Sequence, residues 1–403
     1  MIRPDFGPHG PPENRKSDVE FKMQNSQCRR VGEPRLRPFI VTTFVALLAV
    51  GVMLGPATAA EPWTLQLELD GKQIQGVPLR WSDSRVILMG RDGEVWRFSP
   101  HEATNFRKVP GQFRGYDYSE MRGRMLTEFH QGFELSTTPH YFIAHPPGQA
   151  DRWTKRFEEL YRSFVRYFQV QGIPVTEPTV PLVAVIFPNQ AAYLDYAGRT
   201  ERGVSSQTLG YYSLTSNRII MFDVNDALGK DERWQTNAAT IVHEAVHQAA
   251  FNTGVHDRAT LPPRWVVEGM GTMFEAEGVW DSQNHPRQVS RLHRDQLLAF
   301  KKYREGRPNG LMANMIATDR IFDVQPTMAY CEAWALTFFL VETEPKKYAM
   351  YLQNTTSKTR SLAPTPQDRL EEFVDVFGGN LTLLESHYLA FLDRLLSASQ
   401  DVP

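Results

Sequence analysis

Hydrophobic positions recur with a period of two at the start of the chain and with a helical period at its end. In residues 62–110, Leu65, Leu67 and Leu69 alternate with polar residues in TLQLELDGKQ and run into Asp70-Gly71, a strand that ends in a tight turn. Val86-Ile87-Leu88-Met89 and Val95-Trp96-Arg97-Phe98 flank Arg91-Asp92-Gly93 and predict a hairpin. Between 126 and 223 the types mix. Tyr141-Phe142-Ile143-Ala144 reads as a strand. Trp153, Phe157, Leu160, Tyr161, Phe164, Tyr167 and Phe168 mark one face of a helix over 150–171. The apolar run 181–187, PLVAVIF, predicts a buried strand, and 189–198 a short helix. Gly210-Tyr211-Tyr212 and 218–222 pair as a hairpin around Thr215-Ser216-Asn217. After Asp231 nearly everything is helix: 236–252, 264–277, 286–303, 327–342, 345–354, 366–376 and 380–397. The predicted class is α+β, with a small N-terminal barrel-like β unit, a mixed sheet and a mainly helical C-terminal half.

The first sixty residues read as an address. The polar, proline-rich start carries Arg29, Arg30, Arg35 and Arg37. One apolar run follows, Ile40 to Leu54, and then Ala57-Thr58-Ala59-Ala60. The run is shorter than the roughly 20 residues of a spanning helix, so a cleaved signal peptide is expected over 1–60, with an uncleaved membrane anchor as the alternative. The expected location is secreted or in the cell envelope.

Composition narrows the chemistry. The chain has 403 residues, 41% hydrophobic and 22% charged, which suits a globular fold and excludes a fibrous or disordered one. A net charge of −2 without a basic block argues against nucleic acid as a partner. Cys28 and Cys331 cannot build a disulfide framework or a four-cysteine metal site. No Gly-x-Ser-x-Gly occurs, so a serine hydrolase has no support.

The segment TNAATIVHEAVHQAAFNTG places His243, Glu244 and His247 in a helix that Thr236 or Asn237 can cap and Gly254 can end. Residues four apart share a helix face, so both histidines reach one metal ion. Glu244 lies about 100° round the helix, beside the metal rather than on it, where it can take a proton from metal-bound water. Histidines and a glutamate among so many apolar neighbours need a compensating partner, and a metal supplies one. A third ligand is required. Glu268 follows in Pro262-Pro263-Arg264-Trp265-Val266-Val267-Glu268-Gly269-Met270-Gly271, with prolines suited to a helix start and Gly278 to its end. Gly269 and Gly271 are expected to let this helix pack closely on the first. Glu275, two turns beyond Glu268, can accept a hydrogen bond from a ligand histidine.

HEAVH at 243–247 and WVVEGMGTMFE at 265–275 resemble the gluzincin metallopeptidases, the thermolysin-like and aminopeptidase-like group. The exported layout is similar to a bacterial family of small gluzincin-like proteins. The resemblance spans about 126–350 and implies a gluzincin-like domain over 126–397, one Zn2+ on His243, His247 and Glu268, and Glu244 as general base. The chain departs from the group in lacking the Gly-x-Met-Glu-Asn exopeptidase motif, and in carrying Thr272 where thermolysin-like members have an Asp. In gluzincins the edge strand before the first metal helix binds extended substrate; 218–223 is the candidate here, or else an ordinary core strand. Tyr330, in MAYCEAWALTFFL, is the favoured donor to the oxyanion, with Tyr211, Tyr212, His256 and Arg264 as rivals. Cys331 is expected to pack in the core. Residues 61–115 resemble Src-homology-3-type barrels without a catalytic motif, so a structural appendage is expected before a peptide-binding role. The expectation is an exported zinc metallopeptidase acting on peptide or protein substrates. The alternative is an inactive zinc-binding or scaffold protein with an N-terminal interaction module.

Overall fold

The alternation of Leu65, Leu67 and Leu69 becomes the buried face of an N-terminal antiparallel sheet built from β1 (Trp63–Leu69), β2 (Lys72–Trp81), β3 (Val86–Gly90), β4 (Val95–Phe98) and β5 (Ala103–Pro110). Leu69 pairs with Lys72 across a two-residue turn, with Asp70 at φ 50° and Gly71 at φ 72°, the positive values such a hairpin demands. The strand order is β4-β3-β2-β1-β5. Its two edges do not pair with each other, so the sheet is open and the expected barrel does not close. The free side of β4 is used elsewhere: the Val95 N–H donates to the Thr215 carbonyl at 2.8 Å. The computed structural model describes residues 63–400 except 130, 202–203, 224–229 and 358, so the targeting segment 1–60 and the side chains of Thr236 and Asn237 lie outside the described residues. The described residues fall within one unit, Ala60–Pro403. No helix among them is long and apolar enough to cross a membrane.

A short helix, α1 (Tyr118–Glu128), opens on a capping box between Asp117 and Glu120 and leads to β6 (Glu134–Thr137) and β7 (Tyr141–His145). Next come α2 (Ala150–Val170), β8 (Leu182–Phe187), α3 (Gln190–Thr200), β9 (Gly210–Ser213) and β10 (Arg218–Phe222). They form a second sheet in the order β6-β7-β8-β10-β9. β7, β8 and β10 are parallel, while β6 and β9 close the edges antiparallel, so the sheet is mixed as expected. β8 is buried throughout, the reason LVAVIF does not alternate. Ile143, Ala184, Ile186, Ile219 and Met221 face the main core with α2, and the residues between them pack against α1 and α3.

The helical half begins with α4 (Lys230–Asn252), which lies on the main-core face through Ile241, Val242, Ala245, Val246 and Ala249. It continues with α5 (Arg264–Phe274), α6 (Glu277–Trp280), α7 (Arg294–Tyr303), α8 (Leu311–Ala317), α9 (Arg320–Val324), α10 (Pro326–Thr343), α11 (Pro345–Thr355), α12 (Pro366–Phe377) and α13 (Leu381–Gln400). Three boundaries differ from expectation. α4 starts at Lys230, not near 236, so Thr236 and Asn237 lie inside the helix and do not cap it. The helix expected over 264–277 stops at Phe274, and Gly278 belongs to α6, where any side chain would collide with the Ser290 and Arg291 backbone. The helix expected over 286–303 is a 3-10 turn, Gln288–Arg291, followed by α7.

Candidate metal centre

α4 and α5 carry the site, and Gly271 sets their separation. A Cβ there would lie 2.9 Å from the Cε1 atoms of both His243 and His247. Gly269 faces the other way, where a side chain would meet Thr337 and the Ala333 carbonyl of α10. Of the two glycines, one admits the histidines of α4 and the other admits the helix that backs α5.

Three donor groups converge. One ligand atom each of His243, His247 and Glu268 lies within 4.8 Å of the others. Glu268 Oε2 is 3.3 Å from His243 Nε2 and 3.5 Å from His247 Nε2. Ligand bonds of about 2.1 Å at a tetrahedral angle hold donors about 3.4 Å apart, so both separations from Glu268 suit a zinc-sized cation. The nitrogen–nitrogen–oxygen donor set is also one that zinc accepts.

The surroundings orient this set. His243 donates from Nδ1 to Glu275 Oε1 at 2.7 Å and, as an imidazolium, from Nε2 to Glu268 at 3.3 Å, where a metal ion would take the place of the Nε2 proton. His293, at the N-cap of α7, donates from Nε2 to the other Glu275 oxygen at 3.0 Å. Burial works against charge on Glu275, but His243 and His293 hold its carboxyl down to about 2. Burial likewise opposes charge on Glu268, and hydrogen bonds from both histidines outweigh it, holding its carboxyl far below the usual range. Burial disfavours a His243 imidazolium, yet Glu268 and Glu275 raise its pKa well above the ordinary value. These carboxylates make the spot between the imidazoles strongly attractive to positive charge.

Glu244 is turned elsewhere. Its Oε2 accepts the Tyr212 backbone N–H at 2.7 Å. Burial raises its pKa against the pull of His243 and His247. β9, which supplies that N–H, is the edge of the sheet, while β10 lies inside it between β8 and β9. The strand available for an added partner is therefore 210–213, not 218–223. β10 is the ordinary core strand.

Of the proposed electrophilic donors, the fold brings Tyr330 and Arg264 to the site. The Tyr330 ring centroid is 6.4 Å from that of His243. Arg264 Nε is 3.5 Å from Glu268 Oε1, and its guanidinium partners the Tyr330 hydroxyl while lying over Phe322. Burial, then Glu268, push the Tyr330 phenol up to about 12, with Arg264 opposing. The Tyr212 hydroxyl instead donates to Asn217, and Tyr211 sits beside Tyr193. His256 is buried against Phe251 with its Nδ1 on the Val255 carbonyl. Cys331 is buried as expected and donates to the Gln296 carbonyl at 3.3 Å. His293 and the Tyr212 N–H are participants the sequence reading missed. The predicted 210–222 hairpin held the clue to Tyr212; nothing in the spacing of the histidines marks His293.

Residues 237–362 match a family described as a protein of unknown function (DUF1570). The matched stretch contains the whole triad together with Glu244, Glu275, His293 and Tyr330. No curated protein matches the chain.

Proposed function

We propose that the chain is an exported zinc-dependent hydrolase of peptide bonds. The observation that carries this reading is the pairing of a three-donor cluster, His243, His247 and Glu268, with a glutamate adjacent in sequence that is turned to a sheet edge rather than into the cluster. A zinc ion held by the three residues supplies Lewis acidity, which acidifies water and polarises a peptide carbonyl.

The remaining roles belong to the chain. Glu244 takes a proton from the attacking water as the new C–O bond forms, and passes it to the amine as the C–N bond breaks. Its buried, raised-pKa carboxyl suits both halves of that transfer, and the Tyr212 N–H holds it in place. Glu275, steadied by His293, fixes the His243 tautomer. Tyr330, aligned by Arg264, donates to the oxygen on which negative charge develops. The free side of β9, apart from the Tyr212 N–H that Glu244 holds, receives extended substrate by backbone pairing.

The test is a mixed peptide library incubated with the purified full chain and read by mass spectrometry. Cleavage that stops on chelation and returns with zinc supports the reading. Zinc binding without cleavage of any peptide favours an inactive metal-binding protein instead. Export is read separately: a mature N-terminus near Ala60 supports it, and an intact 1–60 segment favours the membrane anchor.

A further inference from the structure

A groove of about 770 Å³ runs along the outer side of β9 and its turn, and Arg85, Ile87 and Arg97 of the N-terminal sheet form a wall of it. None of the metal ligands lines it. It meets the site at Tyr212, whose N–H holds Glu244. The two sheets are bonded together along this seam. The Val95 N–H donates to Thr215 O, and buried Arg258 donates to the carbonyls of Gly93 at 2.7 Å and Leu214 at 2.6 Å.

The charge in the groove is one-sided. Four arginines line it, Arg85, Arg97, Arg360 and Arg369, against two carboxylates, Glu201 and Asp319. Both carboxylates are engaged: Asp319 pairs with Arg369 at 2.7 Å, and Glu201 accepts the Ser213 hydroxyl at 2.9 Å. Arg360 pairs with Glu372. Arg85 and Arg97 form no ion pair among the described residues, and Arg97 donates only to the Arg258 carbonyl, at 2.8 Å. Arg258, just behind, donates to carbonyls and forms no ion pair among the described residues, Asp92 acting on it only at longer range, and its buried Nε has no hydrogen-bond partner there. Partial desolvation, then the neighbouring Arg258 and Arg85 charges, lower the Arg97 pKa, although Arg85 and Arg97 both stand exposed at the groove wall. Water screens their repulsion, but like charges with no carboxylate paired to them leave this wall attractive to an anion.

We infer that the groove takes an extended acidic peptide along β9, and that Arg85 and Arg97 of the N-terminal sheet bind a substrate carboxylate close to the cleaved bond. This rests on the peptide-hydrolase reading and makes the N-terminal sheet a specificity element of the same site. An arginine fork matches a carboxylate geometrically, and the Arg85 head group is exposed enough to meet one.

Two readouts keep the claims apart. In the library digest, Asp or Glu should be enriched at positions flanking the cleaved bond. On a substrate with Asp at the enriched position, Arg85→Glu or Arg97→Gln should lower kcat/KM by about 10- to 100-fold, with little change on the Asn counterpart. Arg85→Lys should restore part of the loss. The second readout is fluorescence anisotropy of labelled Asp and Asn peptides on the Glu244→Gln full chain. It should show tighter binding of the Asp peptide, abolished in the Arg85→Glu background. Because binding is read without turnover, a failure of hydrolysis leaves this arm intact. Equal affinities for the two peptides, or an Asp/Asn ratio unchanged by both arginine variants, would overturn the inference.

Discussion

Gly271→Ala perturbs the centre without touching a ligand. The added methyl would sit 2.9 Å from Cε1 of both His243 and His247, and 3.1 Å from His243 Nδ1. Ordinary carbon contacts begin near 3.4 Å, so each ring must retreat by about 0.5 Å, against a tolerance of about 0.2 Å in metal–ligand distances. Overpacking of this kind costs about 1–3 kcal/mol, or about 5- to 150-fold in zinc affinity. The fold is partly compensated, because alanine favours a helix over glycine by about 1 kcal/mol. Zinc affinity is measured by competition with a chromophoric chelator, and fold stability by thermal melting in EDTA. The expected result is weaker zinc binding with a nearly unchanged metal-free melting temperature. Gly269→Ala is the contrast: its methyl meets the Ala333 carbonyl and Thr337 of α10, so the fold should weaken first. Wild-type zinc affinity in Gly271→Ala would refute the claim that the close approach of α5 to the histidines sets the site.

Glu275→Gln can no longer accept from both His243 and His293, and zinc affinity should fall about 10- to 100-fold by the same competition assay. Burial depresses the His256 pKa to about 3, whereas an unfolded histidine titrates near 6.5. Between those values the unfolded chain binds a proton that the folded chain refuses, so this group's stability contribution is complete above about pH 6.5 and is lost as pH falls; in metal-free protein, His256→Gln should flatten a slope of up to about 1.4 kcal/mol per pH unit in urea unfolding. Glu332 accepts two bonds from Arg307 and one from the Tyr388 hydroxyl deep in the helical half. Glu332→Ala should cost about 3–5 kcal/mol, read as a lower melting temperature with zinc stoichiometry unchanged.

The parts of the site that follow helix periodicity were legible in the chain. His243 and His247 lie four apart, and Glu275 lies seven after Glu268, so a single helix phase placed each pair. The two glycines were legible as signals of close approach, but not their directions, because which helix lies on which side of α5 is a tertiary fact. The edge strand was misplaced for a similar reason. Adjacency to α4 pointed to β10, yet sheet order is decided by the crossovers through α2 and α3. α1 buries little beyond Met121 and Met125, so its hydrophobic period is faint, although its Asp117-x-x-Glu120 box stood in plain view. The open N-terminal sheet is the converse case. Three of its five strands, β1, β3 and β4, were readable, whereas β2 and β5 lack a clear alternation, and β4 is bonded to the Thr215 turn, a partner 120 residues later in the chain.

The central claim is that His243, His247 and Glu268 hold the metal while Glu244 moves the proton. It is tested most directly by measuring zinc content and peptide cleavage together in wild type and Glu244→Gln. The account predicts about one zinc per chain in both proteins, and cleavage about 100- to 10,000-fold slower in the variant. Loss of zinc in Glu244→Gln, or cleavage at the wild-type rate, would contradict it.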